Sequence, residues 1–515
     1  MNDWNEGYFT ESTYTYGYYS ELNPTFQRFC LLTTGVLPPP PDKWRNDAEN
    51  HCELGYGQGV SINIHAAANS GNYFGTDFNP SHAEHANILC QASGSVAKLF
   101  ENSFEEMLQR DDLPQFDSIS LHGIWSWISP ENQNHIVEFV RKFLKPGGIL
   151  YNSYNCYPGW SPAAPMRELF VLYDKYAHQS NKTFNRVEEA LKFTEKIIFT
   201  PQGYFSRVPD VKQIFERTKK HNHDYLAHEY FNRDWICMYF SEVAEIFQSA
   251  KVEFACTASL IEQRNELILP QNCIEILKNI ENPIMREQVK DYFLNRQFRK
   301  DLSVRGGIKL SQPARTNLIL ETNYVLVDRS PISNQIKLPN GAINIDAKLG
   351  EKIFEYLSAE NYRPKNFKAF LQENNFVPTM IEGLLIILAH SGKILPCQTD
   401  DVVEKVLPKC HALNKYICER AKFSDEIQFL ASPVTGGGVP LNRFERIFTA
   451  AIFDGKNTVD EIADYSWKIF KAQGQFLVIQ GKTLQTAEEN INQFKTAVQP
   501  FLENRLPVLK TLQVV

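Results

Sequence analysis

The sequence predicts an α/β fold built on a doubly wound sheet, with a helical insertion, an α+β middle region and a mostly helical C-terminal region. Three observations carry this prediction. Between residues 50 and 155, short apolar segments of strand length alternate with segments of helix length, the rhythm of parallel strands joined by crossovers. The turn Glu53-Leu54-Gly55-Tyr56-Gly57-Gln58-Gly59 sets three alternate glycines after the first such segment. An acid, Asp77, ends the second segment. Glycines admit a ligand where a Cβ would collide, and an acid about 20 residues on can accept both hydroxyls of a ribose.

The first strand, Asn50 to Leu54, is short and unusually polar for a central parallel strand. Val60 to Ala68 is read as the helix behind the glycine turn, Asn72 to Asp77 as the second strand and Ser81 to Ser93 as the next helix. Ala97 to Phe100 and Phe116 to Gly123 supply the third and fourth strands. The stretch Glu131 to Leu144 carries Ile136, Val137, Phe139, Val140 and Phe143 at helical spacing and is stopped by Lys145-Pro146-Gly147-Gly148. Ile149 to Tyr154 is the fifth strand. From about Ala163 to His221 the pattern is charged and helical; a helix at Ser241 to Ala250 and a strand at Val252 to Leu260 then close the sheet.

Beyond Pro270 this pattern ends. A helix is expected around Arg286 to Phe298, and strands around Ile308 to Leu310 and Tyr324 to Val327. Helices at Lys348 to Leu357, Asn366 to Gln372 and Thr379 to His390, with a strand at Lys393 to Leu395, resemble a winged helix. The third of these helices has no Lys or Arg, whereas a DNA-reading helix needs polar and basic reach, so a packed structural or protein-contact module is expected. The remainder is read as helical around a loop from Pro433 to Pro440.

Composition narrows the function classes. A chain of 515 residues exceeds one ordinary core, and 43% hydrophobic with 22% charged residues is the balance of a globular protein. The formal net charge of −7 argues against binding nucleic acid through its phosphates. Ten cysteines without a C-x-x-C pair suggest neither a zinc site nor a disulfide framework, and no metal is expected. The N-terminus lacks the basic-then-apolar layout of a signal peptide, and the apolar run Leu384 to Ala389 is far too short to cross a bilayer. A reduced, cytoplasmic setting with no membrane contact is the expectation.

The glycine spacing separates two nucleotide cofactors. A dinucleotide fingerprint needs two residues between its second and third glycines and a pyrophosphate on the helix N-terminus; here only one residue intervenes. This closer spacing, with Glu53 just before the first glycine, resembles motif I of the class I S-adenosylmethionine (SAM) methyltransferases. The motifs E-L-G-Y-G-Q-G, G-T-D-F-N-P, F-D-S-I-S-L-H-G-I-W-S-W-I-S and K-P-G-G-I-L-Y-N-S-Y-N-C-Y-P-G-W, with the earlier Y-T-Y-G-Y-Y-S-E-L-N-P, extend the resemblance to bacterial class I methyltransferases with a regulatory domain. Within that group the chain looks like the rickettsial-type enzymes that methylate lysines of outer-membrane proteins.

The resemblance implies a Rossmann-like cofactor core at 1–162, a helical insertion at 163–222 that covers the site or makes a homodimer, and the end of the methyltransferase fold at 223–270. A middle, regulatory domain at 271–400, winged-helix-like over 343–397, and a C-terminal domain at 401–515 complete it. Glu53, Gly55, Gly57, Gly59, Asp77, Asn102, Ser103 and Phe104 are the expected cofactor residues; Asp111 and Asp112 are the alternatives to Asn102-Ser103-Phe104. Methyl transfer depends on position and desolvation, so aromatic walls are expected near strand ends. Tyr14, Tyr16, Tyr18, Tyr19, Trp125, Trp127, Tyr154, Asn155 and Trp160 are the candidates, with Tyr18, Trp125, Tyr154, Asn155 and His122 taken as the catalytic set. His122, His228 and Glu229 are candidate proton acceptors. A protein lysine is the favoured acceptor; a small metabolite or surface glycan, and a SAM-binding protein without catalysis, are the competing readings.

Overall fold

The computed structural model describes residues 15–39, 48–180, 183–338 and 341–515; Tyr14 lies outside them. Seven strands form the main sheet: β1 (Asn50–Leu54), β2 (Asn72–Thr76), β3 (Lys98–Phe100), β4 (Phe116–Leu121), β5 (Leu144–Asn155), β6 (Glu253–Thr257) and β7 (Phe298–Val304). Their order is β3-β2-β1-β4-β5-β7-β6. The first five run parallel, and β7 pairs antiparallel with both β5 and β6. This is a Rossmann-like sheet, as expected.

The polarity of β1 is matched by its neighbours. His51 Nδ1 lies 2.8 Å from Ser118 Oγ on β4, and the Asn50 amide donates to Asp117 Oδ2 at 2.9 Å. Glu49, just before the strand, pairs with Arg28 and His51. A buried strand can carry polar side chains when each finds a partner.

Five segments differ from the sequence expectation. The closing strand β7 lies beyond residue 270, in the stretch assigned to the middle region, so the sheet needs chain out to Val304. It reads as polar because Arg299, fully buried, meets Asp291 at 2.6 Å, Asp301 at 2.9 Å and Glu287 at 3.0 Å. The helix expected over 286–298 is Pro283–Leu294. Lys145 to Gly148 is not a loop but the bulged start of β5, which pairs with β4 on both sides of a register shift. Ile308 to Leu310 forms only an isolated bridge between Lys309 and Val36, and the expected loop at Pro433 to Pro440 contributes half of the hairpin Phe429–Ser432 with Gly437–Pro440.

Helix α1 (Pro24–Thr33) precedes the sheet, and α2 (Val60–Ala68), α3 (Pro80–Ser93), α4 (Phe104–Gln109) and α5 (Pro130–Phe143) connect its strands. All nine residues of α2 are buried. A helix buried on every side needs cover on both faces. The second cover is the C-terminal helix Asp400–Ala421, whose Val403, Val406, Cys410 and Leu413 share a core with Val60, Ile64, Ala67 and Ala68. Lys409 Nζ donates to the carbonyls of Ala66 (3.0 Å) and Asn69 (3.2 Å), and Gln398 Nε2 to that of Ala68 (2.7 Å), closing the C-terminal end of α2.

The insertion packs Ala164–Tyr176, Thr183–Ile198, Asp210–Thr218 and His223–Tyr230 around a core of its own containing Met166, Phe170, Ala190, Phe215 and Leu226. In the middle region Ala347–Tyr362, Lys368–Glu373 and Pro378–His390 are helical, and Ile394–Pro396 pairs antiparallel with Tyr324–Leu326. The third helix lies inside the core, with Glu382 buried and bonded to Arg315 at 2.9 Å. Among the described residues no helix is long and apolar enough to cross a membrane.

Gly59, at φ +71°, starts α2 against α3: a Cβ there would fall 2.3 Å from Ala86 Cβ. Left-handed strain and the clash together predict that Gly59→Ala loses about 2–5 kcal/mol of stability, read as an earlier midpoint in urea unfolding.

Candidate active site

A cleft of about 1030 Å³, including the space at its mouth, opens at the carboxyl ends of β1, β2 and β4. That is where an open α/β sheet binds ligands. Glu53, Gly55, Gly57, Asp77, Asn102, Ser103, Phe104 and His122 line it, all eight being residues expected from the sequence.

The glycine turn and the acid touch directly. The Gly57 amide donates to Asp77 Oδ2 at 2.8 Å, the Asn79 amide donates to Oδ1 at 3.0 Å, and His82 Nδ1 lies 3.1 Å from Oδ1. Gly55, at φ +74°, has no room for a Cβ, which would meet Ile124 Cδ1 at 2.4 Å. The turn is therefore shaped by its packing as well as by its ligand side. The Gln58 carbonyl accepts from His85 Nδ1 at 2.7 Å, and Arg420 of the C-terminal region donates to the other nitrogen of that ring at 3.3 Å.

Glu53 decides the electrostatics. It is buried to 8% exposure, and no ion pair or hydrogen bond to its carboxyl is found among the described residues. Burial, with the neighbouring Asp77 carboxylate adding to it, pushes its pKa up to about 8. A carboxyl without a countercharge, lining a cleft, fits a ligand that brings a cation. It offers a pyrophosphate no countercharge.

The segment Asn102 to Phe104 is organised by α4. The Ser103 hydroxyl accepts from the Glu106 amide at 3.2 Å as the N-cap, and the Asn102 amide donates to Thr76 Oγ1 at 3.2 Å. Asn102 Oδ1 accepts from Arg110 Nη1 at 3.2 Å. Asp111 and Asp112 are exposed and outside the cleft, Asp112 being paired with Arg110 at 2.7 Å.

His122 forms the opposite wall. Its ring stacks on Tyr19 with centroids 3.7 Å apart, and Nδ1 lies 2.9 Å from the Tyr151 hydroxyl. Burial pulls its pKa down to about 4, with Lys300 helping and Glu21 opposing. The imidazole is neutral at pH 7.

The other four residues of the expected catalytic set, and one glycine, face elsewhere. Tyr18 points away from the cleft, its ring 4.9 Å from Phe429 and its hydroxyl 3.2 Å from His65 Nε2; Tyr19, its neighbour in an extended segment, faces the cleft instead. Trp125 is fully buried with its ring 4.8 Å from Phe247, and Trp127 lines the cleft, since residues two apart in a 3₁₀ turn point to different sides. Tyr154 is buried and its hydroxyl donates to Asp301 Oδ2 at 2.8 Å; Asn155 Oδ1 accepts from Trp160 Nε1 at 3.2 Å. Gly59 packs α2 on α3 and does not line the cleft. Tyr154→Phe is accordingly expected to cost about 1–3 kcal/mol of stability in urea unfolding while leaving cofactor affinity unchanged.

Sequence reasoning passed over Tyr56, Phe78, His82, Ile128, Ser129 and Asn132, which also line the cleft. His82 and Phe78 were within reach, because each lies within five residues of Asp77. Among the described residues no group of three or more His, Cys, Asp or Glu side chains is placed to hold a metal ion.

Family models agree with this geometry. A methyltransferase domain matches residues 52–148, and a domain described as "Predicted methyltransferase regulatory domain" matches 222–305. An uncharacterized protein of Synechocystis sp. is 35% identical over 517 residues, covering 99% of both chains. This chain belongs to the class I methyltransferases that carry a methyltransferase regulatory domain. The regulatory-domain match ends at residue 305, just past β7, so this part of the methyltransferase completes the catalytic sheet. An uncharacterized protein of Rickettsia prowazekii is 23% identical over 298 residues, 57% of this methyltransferase and 53% of that protein. The structure of PKMT2 from Rickettsia typhi in complex with AdoHcy has the same fold throughout, with a TM-score of 0.72 at 19% identity over 98% of this chain and 100% of that one. The methyl donor of this methyltransferase is SAM.

Proposed function

We propose that this methyltransferase transfers methyl groups from SAM to lysine side chains of a protein substrate. The observation that carries the reading is the wall of Tyr19, His122 and Trp127 facing Glu53 and Asp77: it is aromatic, and its one titratable imidazole stays uncharged at pH 7. Such a wall tolerates an approaching amine, and aromatic faces attract a cation by roughly 0.5–2 kcal/mol each. The full-length likeness to PKMT2 supports the same reading.

In this assignment Glu53 holds the ammonium of the cofactor, Asp77 accepts from the ribose hydroxyls, and Asn102, Ser103 and Phe104 flank the adenine. SAM supplies an activated methyl on sulfonium. The chain orients it and keeps water away. A lysine amine with a reference pKa of about 10.4 costs about 4.6 kcal/mol to deprotonate at pH 7, and a partly dry aromatic wall lowers that cost. The enzyme acts in the cytoplasm on a protein before its export, with the helical insertion as the contact between two copies.

Incubating the enzyme with tritiated SAM and a bacterial protein extract, then hydrolysing the protein, is expected to place the label on methylated lysine. Label confined to a small molecule or a glycan, or cofactor binding without any turnover, would replace this reading.

A further inference from the structure

The peptide groups of the glycine turn have different anchors. The Gly55 amide donates to the Thr76 carbonyl at 2.8 Å, the Gly57 amide to Asp77, and the Gly59 amide to the Tyr56 carbonyl at 3.0 Å, all within the turn and the end of β2. The Gln58 carbonyl reaches outward instead, to His85 Nδ1 on α3 at 2.7 Å. It belongs to the same planar peptide unit as the Gly59 amide, so His85 and Tyr56 pin one plane from its two sides. Gln58 is buried and lines the cleft.

His85 can hold that carbonyl only with a hydrogen on Nδ1. A neutral imidazole carries one hydrogen on either nitrogen, and the partner of the other nitrogen decides which. That partner is Arg420, in the last turn of the helix Asp400–Ala421, whose Nη1 lies 3.3 Å from His85 Nε2. A guanidinium donates and never accepts, so Nε2 presents its lone pair and the hydrogen sits on Nδ1. Arg420 is itself held by Glu426 at 3.1 Å, and the Tyr16 ring stands edge-on to the imidazole at 5.0 Å.

We propose that Arg420 and His85 are positioning residues of the SAM site: Arg420 locks the His85 tautomer, His85 pins the Gln58 peptide, and the C-terminal region thereby sets cofactor affinity. The inference rests on the reading that the glycine turn holds SAM. Neither side chain lines the cleft, so both act through the turn.

The lock has a signature in pH. The groups facing the ring are the Gln58 carbonyl, Tyr16 from the N-terminal segment, Arg420 and Glu426 from the C-terminal region, and His82 one turn earlier on α3. Burial above all lowers the His85 pKa from its ordinary value of 6.5, with the Gln58 carbonyl opposing and the Arg420 charge adding to it. An uncharged side chain in place of Arg420 raises that pKa, because a cation leaves and Glu426 loses the guanidinium it pairs with. At high pH the neutral ring of such a variant is free to move its hydrogen to Nε2 and release Gln58. At low pH the protonated ring carries hydrogens on both nitrogens, and Nδ1 donates to Gln58 without help.

The test titrates SAM into the full-length enzyme by calorimetry. Arg420→Met is expected to bind SAM roughly 2–10-fold more weakly than the wild type at about pH 8, the worth of one hydrogen bond, and to match it at about pH 5.5. Other titrating groups are common to both proteins and cancel in the ratio. Arg420→Lys, which keeps a charged donor, recovers part of the loss. Should Arg420→Met fail to fold, His85→Asn and His85→Ala decide: the asparagine amide takes the place of Nδ1–H and retains part of the affinity that alanine loses. Wild-type affinity in Arg420→Met at the higher pH, a deficit of the same size at both pH values, or equal losses in His85→Asn and His85→Ala overturn the lock. Asp77→Ala measured alongside separates the two levels. If it binds SAM weakly, such a result removes the lock alone; if it binds as the wild type does, the cofactor reading of the turn falls as well.

Discussion

SAM affinity is expected to rise by nearly tenfold per pH unit between about pH 5.5 and about pH 7.5, because binding must expel one proton from Glu53. In the free enzyme the buried carboxyl, with a pKa near 8, is mostly protonated over that range. The proposed ammonium partner requires it ionised. The gain ends near pH 8, where Glu53 is ionised without help and a free α-amino group, with a pKa of about 7.7–8.0, begins to lose its own charge. The folding linkage has the opposite sign. Since the folded pKa lies above the ordinary carboxyl value of 4.5, the contribution of Glu53 to the stability of the free enzyme is fully present below pH 4.5 and is lost as the pH rises through 8. Saturating SAM removes that loss. Glu53→Gln should match the wild type near pH 5.5 and fall behind as the pH rises, reaching a deficit of about 1.5–3 kcal/mol near pH 8, the usual range for a hydrogen bond to a charged group. Calorimetric titrations across this range check it, and a pH-independent wild-type affinity would remove Glu53 from the ammonium site.

Asp77→Ala is expected to weaken SAM binding by about 1–3 kcal/mol, or roughly 5–150-fold, through loss of the proposed ribose contacts. The substitution also leaves the Gly57 and Asn79 amides without their acceptor, so the glycine turn loosens together with the acid. Asp77→Asn separates the two effects. It retains a carbonyl oxygen for one of the amides but presents a donor where the second ribose hydroxyl needs an acceptor, and it should fall between the wild type and Asp77→Ala. Affinity unchanged in Asp77→Ala would show that the ribose lies elsewhere.

Much of this site was legible in the sequence because its parts are backbone features. Positive-φ glycines and an acid at a strand end leave a signature that no particular packing is needed to read. What could not be read was side-chain direction. Tyr18 and Tyr19, or Trp125 and Trp127, are equally aromatic, and which of each pair reaches the cleft depends on the parity of an extended segment and the phase of a single 3₁₀ turn. The seventh strand was hidden for a related reason. Its interior is held by the ion pairs of Arg299 with Asp291, Asp301 and Glu287 instead of by alternating aliphatic side chains, and charge in a short segment reads as surface until its partners are known. Tyr154 belongs to this buried network through its bond to Asp301, which is why a ring at a strand end proved structural.

The enclosure of α2 ties the two ends of the chain into one folding unit. A protein cut before Asp400 would bare the apolar side of α2 formed by Val60, Ile64, Ala67 and Ala68, directly behind the glycine turn. The catalytic portion therefore cannot be trimmed to a minimal soluble enzyme, and a lesion in the far C-terminal helix can silence chemistry without touching a reacting group.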